Sequence, residues 1–210
     1  MHINKKYWPH LASRLTIYRC LSFVIGIILA PSSAWAHGVN TTKGGFLQGL
    51  VHPISGPDHV VAMVAVGLWG AVLGPPALWV LPVAFPMVMA FGGLLGFLGI
   101  QIPGIEIGIA LSAIVMGIMV AIECRPALWI SAVIVSIFAI FHGYAHGSEL
   151  PAGRNALQFS LGFVIATGLL HLIGILLGEA RRRPRGIAVV KILGGAIAIT
   201  GIYFLIRSTT

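Results

Sequence analysis

The sequence predicts an all-α membrane protein: a polytopic bundle of about six transmembrane helices with a broken first helix. Of its 210 residues, 58% are hydrophobic and 9% charged, whereas soluble domains carry roughly 25% charged residues. The mean hydropathy is +0.98. Such a chain cannot clothe a globular surface in polar groups, so a lipid bilayer is its natural solvent. Its apolar runs are also punctuated by proline and glycine at span-length intervals, as hydropathic segments joined by short loops should be. The length suits one compact bundle and leaves little for a soluble domain. The formal charge of +8 does not point to nucleic acid, because the basic residues sit at segment ends and form no single stripe.

Residues 1–36 read as a cleaved secretory signal. Lys5, Lys6, Arg14 and Arg19 form a basic leader, Cys20 to Ala30 an apolar core, and Ala34-Trp35-Ala36 a small-residue cleavage site. The alternative is a retained first helix, but the apolar run is short for a span. Cleavage leaves one transmembrane domain, 37–210, that starts at His37 and has Cys124 as its one thiol, so no internal disulfide is expected. A short apolar piece from Gly44 to Val51 is either a half-helix or an extension of the next one. A helix then runs from Pro57 to Leu73 and is stopped by Gly74-Pro75-Pro76. The next span, Ala77 to Leu98, is interrupted by Pro82 and Pro86. Further spans cover Ile105 to Ile122, Pro126 to His146, Asn155 to Leu177 and Ile187 to Ile206. Arg181, Arg182, Arg183 and Arg185 place their loop in the cytoplasm. Counting back puts the mature N-terminus outside, as a cleaved secretory signal independently requires. The arginine run is otherwise read as a solvated charged loop. Small-xxx-small pairs at Gly70/Gly74, Gly92/Gly96, Gly104/Gly108, Gly143/Gly147 and Gly174/Gly178 read as close helix packing, and are compatible with a homo-oligomer.

Ionisable residues inside a membrane are functional candidates by default. In "HPISGPDH", Pro53, Gly56 and Pro57 predict a backbone break that lines a cavity. Asp58 and His59 then stand at the start of a new helix, where Asp58 either caps the helix end or complements its positive dipole. Met63 shares a face with His59 and is read as packing. In "FHGYAHGSE", His142 and His146 are four apart and share a helix face, with Glu149 near the helix end. Imidazole suits zinc, copper, iron and nickel. The predicted topology puts His52, Asp58, His59, His142, His146 and Glu149 at the outer membrane face, together with His37. A scatter of core histidines would not gather in this way, so one metal site is the joint reading. A free amine and imidazole on His37 would favour Ni²⁺ or Cu²⁺. His171, on the inner half of its span, is either a second station on a path or a buried histidine bonded to a carbonyl. Glu106 is a candidate partner of the ligands, and Glu123 and Glu179 read as solvated interfacial charges.

These residues resemble a known family. The histidine-glycine pair after the signal, "HPISGPDHVVAMVAVGLWGA" and "FHGYAHGSE" are similar to the HupE/UreJ membrane nickel/cobalt permeases, over essentially the whole mature chain. The resemblance implies a secondary permease of six spans, tied to hydrogenase or urease maturation. It also implies a metal site carried by His52, Asp58, His59, His142, His146 and Glu149, with His37 matching the family's histidine after the leader. The expectation is therefore a permease, not an enzyme, that imports Ni²⁺ or Co²⁺ across the bacterial cytoplasmic membrane. It needs no prosthetic group; its partners are the transition-metal ion and the bilayer. The chain has no phosphate loop of the GxxxxGK[ST] type, so it does not hydrolyse ATP itself. Ligating imidazoles must be neutral, so uptake should fall as external pH drops through the imidazole range near about 6.5. Two rivals are a zinc-dependent intramembrane hydrolase, with Ser55 or Ser148 as accessory hydroxyls, and the metal-binding membrane subunit of an ATP-driven importer. Against the hydrolase, the chain has neither an HExxH nor a GxSxG pattern.

Overall fold

The computed structural model describes residues 45–148 and 156–209. The expected signal at 1–36, together with His37 and Glu149, lies outside the described residues. The elements are α1 (Phe46–Ser55), α2 (Pro57–Leu73), α3 (Ala77–Phe97), α4 (Ile105–Ala121), α5 (Leu128–Ser148), α6 (Ala156–Gly178), a 3-10 turn (Glu179–Arg182) and α7 (Gly186–Thr209). The chain is a multi-pass helical membrane protein. α3, α5, α6 continued by its 3-10 turn, and α7 are each long and apolar enough to cross a bilayer. α1 and α2 together pass the same test as one bent span, and α4 is a shorter apolar helix of 17 residues, at the low end of spanning length.

The outer surface is inverted relative to that of a soluble protein. Trp79, Val83, Met87 and Phe91 recur every fourth residue along α3 and all face outward, Met87 being 70% exposed. The interior is apolar too, with Trp69, Leu68 and Leu81 fully buried, but it also encloses polar side chains, among them Ser112, His142, Thr167 and His171. A large apolar surface of this kind needs a covering phase, and the 21 residues of α3 match a hydrocarbon core about 30 Å thick.

Local chemistry fixes the element ends. The break in the first span is confined to Gly56, the extended residue (φ −96°, ψ 107°) between α1 and α2, where the axes turn by 87°. Pro57 follows as the first residue of α2, where its missing N–H costs nothing. The leading apolar piece is thus a half-helix. Pro53, expected to share in the break, lies inside α1, and Pro82 and Pro86, expected to interrupt the second long span, lie inside a continuous α3. Buried proline is tolerated in membrane helices because neighbouring elements compensate the freed carbonyls.

Glycine lets the helices approach backbone to backbone. α3 lies against α5, α4 against α7, and both α1 and α2 against α6. On the α3–α5 face the glycines interlock. A Cβ on Gly143 would overlap the Met89 carbonyl oxygen, and one on Gly147 that of Gly93. Cβ atoms on Gly92 and Gly96 would overlap those of Ile140 and Tyr144 in return. Gly67 and Gly174 mate α2 with α6, Gly49 and Gly162 mate α1 with α6, and Gly117 and Gly194 mate α4 with α7. Of the expected pairs, Gly74 and Gly104 instead sit just outside helix ends at φ 78° and 71°, where side chains are strained.

At the end opposite the Gly56 break, charges tie four helical elements together. Arg181 Nη1 donates to the carbonyl oxygen of Ala71 at 3.4 Å and to that of Val72, at the C-terminus of α2. Its Nη2 lies 3.4 Å from Glu123 Oε1, and Lys191 Nζ lies 3.8 Å from Glu123 Oε2. Trp69 Nε1 donates to the Cys124 carbonyl at 3.1 Å. The expectation of solvated charges therefore fails for Arg181 and Glu123, which are partly buried, because the cation satisfies helix-end carbonyls that have no partner of their own. It holds better for Glu179, whose partner Arg182 is exposed. Replacing Arg181 with Ala should cost about 1–3 kcal/mol, read as a lowered melting temperature of the purified chain in detergent. An unchanged melting temperature would mean the network adds nothing.

Candidate functional site

Four imidazoles meet at the end of the bundle marked by Gly56. They come from α1 (His52), α2 (His59) and α5 (His142 and His146). The His59 ring centroid lies 4.3 Å from that of His146 and 4.9 Å from that of His142, and the His52 centroid lies 4.8 Å from that of His146. The i, i+4 spacing places His142 and His146 on one face of α5. Aromatic walls close the group: Phe163 of α6 lies 4.5 Å from His146, Phe159 lies 5.5 Å from His52, and Phe85 of α3 lies 5.6 Å from His142.

Hydrogen bonds define which nitrogen of two rings is available. The Asp58 carboxylate Oδ1 is 3.0 Å from His59 Nδ1. A carboxylate only accepts, so Nδ1 carries the proton and Nε2 the lone pair. Asp58 stands in the first turn of α2, where it complements the positive end of the helix as expected, and its Oδ1 also fixes this ring. Gly56 leaves room for the pair, since a Cβ there would stand 2.9 Å from Asp58 Oδ1 and 3.0 Å from His59 Nδ1. On α4, the Ser112 hydroxyl donates its one proton to the Ile109 carbonyl at 2.6 Å. Its Oγ, 2.9 Å from His142 Nε2, can then only accept, so His142 donates from Nε2 and keeps its lone pair on Nδ1. His59 Nε2, His142 Nδ1 and both nitrogens of His146 are buried without a hydrogen-bond partner. Such atoms are costly unless something else engages them.

The structure therefore gathers five of the predicted site residues, His52, Asp58, His59, His142 and His146. Met63 is fully buried packing, as expected, and Glu106 lies exposed in the first turn of α4. Among the described residues, no three His, Cys, Asp or Glu side chains are already disposed to hold a metal ion. The rings meet edge-on or tilted, so converging their lone pairs requires ring rotation. Ser112, Phe85, Phe159 and Phe163 were missed from sequence. The one available signal for Ser112 is that it is, with Glu106, one of two polar side chains in α4; the phenylalanines gave none, being apolar residues in apolar helices.

Fold and site together define a polytopic helical membrane protein that encloses four imidazoles near one end of its spans, three of which carry buried ring nitrogens without a hydrogen-bond partner. The family profile described as "HupE / UreJ protein" matches residues 25–204, and the chain belongs to that family, one associated with nickel and cobalt transport and not with enzymatic activity. It is 43% identical over 189 residues to Protein HupE of Rhizobium leguminosarum bv. viciae, an alignment covering 90% of this chain and 98% of that protein. No solved structure matches the chain.

Proposed function

We propose that the protein is a permease that imports Ni²⁺, or Co²⁺, across the cytoplasmic membrane to supply a hydrogenase or urease. The observation that supports this most is the set of buried, unpartnered nitrogens on His59, His142 and His146. Borderline divalent ions prefer nitrogen donors, and ions that must also leave are served by rings that rotate into place better than by a rigid cage. In this reading the arginine-rich end faces the cytoplasm and the histidine end faces outward. His52, His59, His142 and His146 bind the ion, Asp58 orients His59 and offsets charge, and His37 and Glu149 complete the entry.

The test is uptake of radioactive nickel into cells that express this chain as their one nickel importer. Uptake should be saturable and should fall at least about tenfold in a His59→Ala variant that reaches the membrane in normal amount, since losing a ligand or its support typically costs 10–100-fold. Uptake by His59→Ala equal to the parent would remove the site assignment. Absence of uptake by the parent chain would remove the permease reading.

A further inference from the structure

A second group of unsatisfied polar atoms lies deeper, on the far side of Phe85. His171 of α6 is almost completely buried, and neither ring nitrogen has a hydrogen-bond partner. Thr167, one turn earlier on the same face, is fully buried, and its Oγ1 is also unpartnered. A helical threonine usually returns its hydroxyl to the carbonyl four residues back, as Thr200 does to Ala196 at 2.9 Å; Thr167 does not. Facing His171 is the backbone of Pro82 in α3. The helical donor to the Pro82 carbonyl would be the N–H of residue 86, and that residue is proline, so this oxygen has lost its partner within the helix. No ordinary hydrogen bond joins it to the ring. Two ring nitrogens and a hydroxyl on one face of α6 thus lack an ordinary hydrogen bond, and the Pro82 carbonyl, released from its helical donor, faces the ring.

The position of this group relative to the first cluster is equally specific. Phe85 is fully buried, with its ring 5.6 Å from His142 and 5.4 Å from His171. At a rise of about 1.5 Å per residue, His142 stands about 9 Å from the histidine end of α5. By the same measure His171 stands about 10 Å from the arginine end of α6. The two imidazoles are therefore stations at different depths with one aromatic ring between them.

We propose that His171, Thr167 and the Pro82 carbonyl form an inner transfer site for the same divalent transition-metal ion, reached from the outer imidazoles when Phe85 turns aside. This rests on the permease reading. The three donors replace part of the ion's water shell between the outer cluster and the arginine end. The mixture of one nitrogen with two neutral oxygens makes it a weaker site than the outer one, as onward release requires.

The test uses the full chain twice: in detergent, for equilibrium binding of Ni²⁺, and in proteoliposomes containing a Ni²⁺-sensitive dye, for transport. His171→Asn should lower the maximal transport rate at least tenfold, with KM and equilibrium binding within twofold of the parent. Thr167→Val, which removes only the hydroxyl, should lower the rate about threefold. Pro86→Ala returns an N–H to the Pro82 carbonyl, so it should stabilise the protein and yet slow transport. That combination separates a ligand role from a structural one, and holds even if His171→Asn folds poorly. Parent-like rates in His171→Asn or in Pro86→Ala would overturn the inner site while leaving the permease reading intact. So would a parallel loss of binding and rate in His171→Asn. A parent chain that binds Ni²⁺ but moves none would overturn both.

Discussion

Nickel affinity should fall at least about 100-fold in His142→Ala and about tenfold in Ser112→Ala, with Ser112→Thr close to the parent. The size of the first effect reflects what the ring does. His142 is fully buried, and its lone pair is left on Nδ1 because Nε2 is occupied by Ser112 at 2.9 Å. Removing the ring deletes a donor and leaves a cavity against Phe85. Removing the Ser112 hydroxyl leaves the ring in place but frees it to rotate and to change tautomer, and partners of this kind typically contribute 10–100-fold to metal affinity. Threonine keeps an oxygen at the same position, so its retained affinity would distinguish hydrogen bonding from simple packing. Isothermal titration of the purified full chain with Ni²⁺ is the measurement. Equal affinities for Ser112→Ala and the parent would show that the Ser112–His142 contact does not position the ligand.

The second large effect is expected from a glycine. Gly143→Ile should reduce the yield of folded, monodisperse protein by an amount equivalent to more than about 3 kcal/mol, at or beyond the upper range for overpacking. The side chain would enter a space already held by backbone: the Met89 carbonyl, with Gly93 N at 2.9 Å. Backbone in two mated helices cannot step aside as a flexible side chain can. Gly168→Ala and Gly195→Ala are the controls, since nothing lies within 4 Å of a Cβ at either position. Both should be neutral or gain up to about 1 kcal/mol from helix propensity. Thermal unfolding in detergent, followed by size-exclusion chromatography, reads all three. A parent-like melting temperature for Gly143→Ile would show that α3 and α5 are not held at this distance.

Much of this was legible in the sequence because lipid imposes simple rules. Long apolar runs between turn residues located both ends of α2 through α6 within two residues, the usual uncertainty of helix ends, and the C-terminal end of α7 within three. Ionisable residues in those runs singled out His52, Asp58, His59, His142 and His146. Proline was less readable. Pro82 and Pro86 look like interruptions in a string of letters, yet α3 continues through both, because packing of neighbouring helices decides whether a freed carbonyl is tolerable. The bend falls at Gly56, inside the expected break, flanked by prolines of which only Pro57 lies beside it. Arg181 read as solvated because nothing local reveals that the carbonyls of Ala71 and Val72, more than a hundred residues away, end a helix beside it. Ser112 and Phe85 acquire meaning only when α3, α4 and α5 surround the same ring.

The glycine contacts have one more consequence. α3 and α5 touch without an intervening side-chain layer, and so do α1, α2 and α6; each set behaves as a plank. His142, His146, Phe85 and Pro82 belong to the first plank, and His52, His59, Thr167 and His171 to the second. Every close ring pair between the two halves of the histidine cluster, and the inner group as well, therefore straddles the seam between planks. A slip along that seam would alter the distances across it and leave those within each plank unchanged. An ion that drew the rings together would act as a clasp, its binding energy delivered directly to the joint between the two halves.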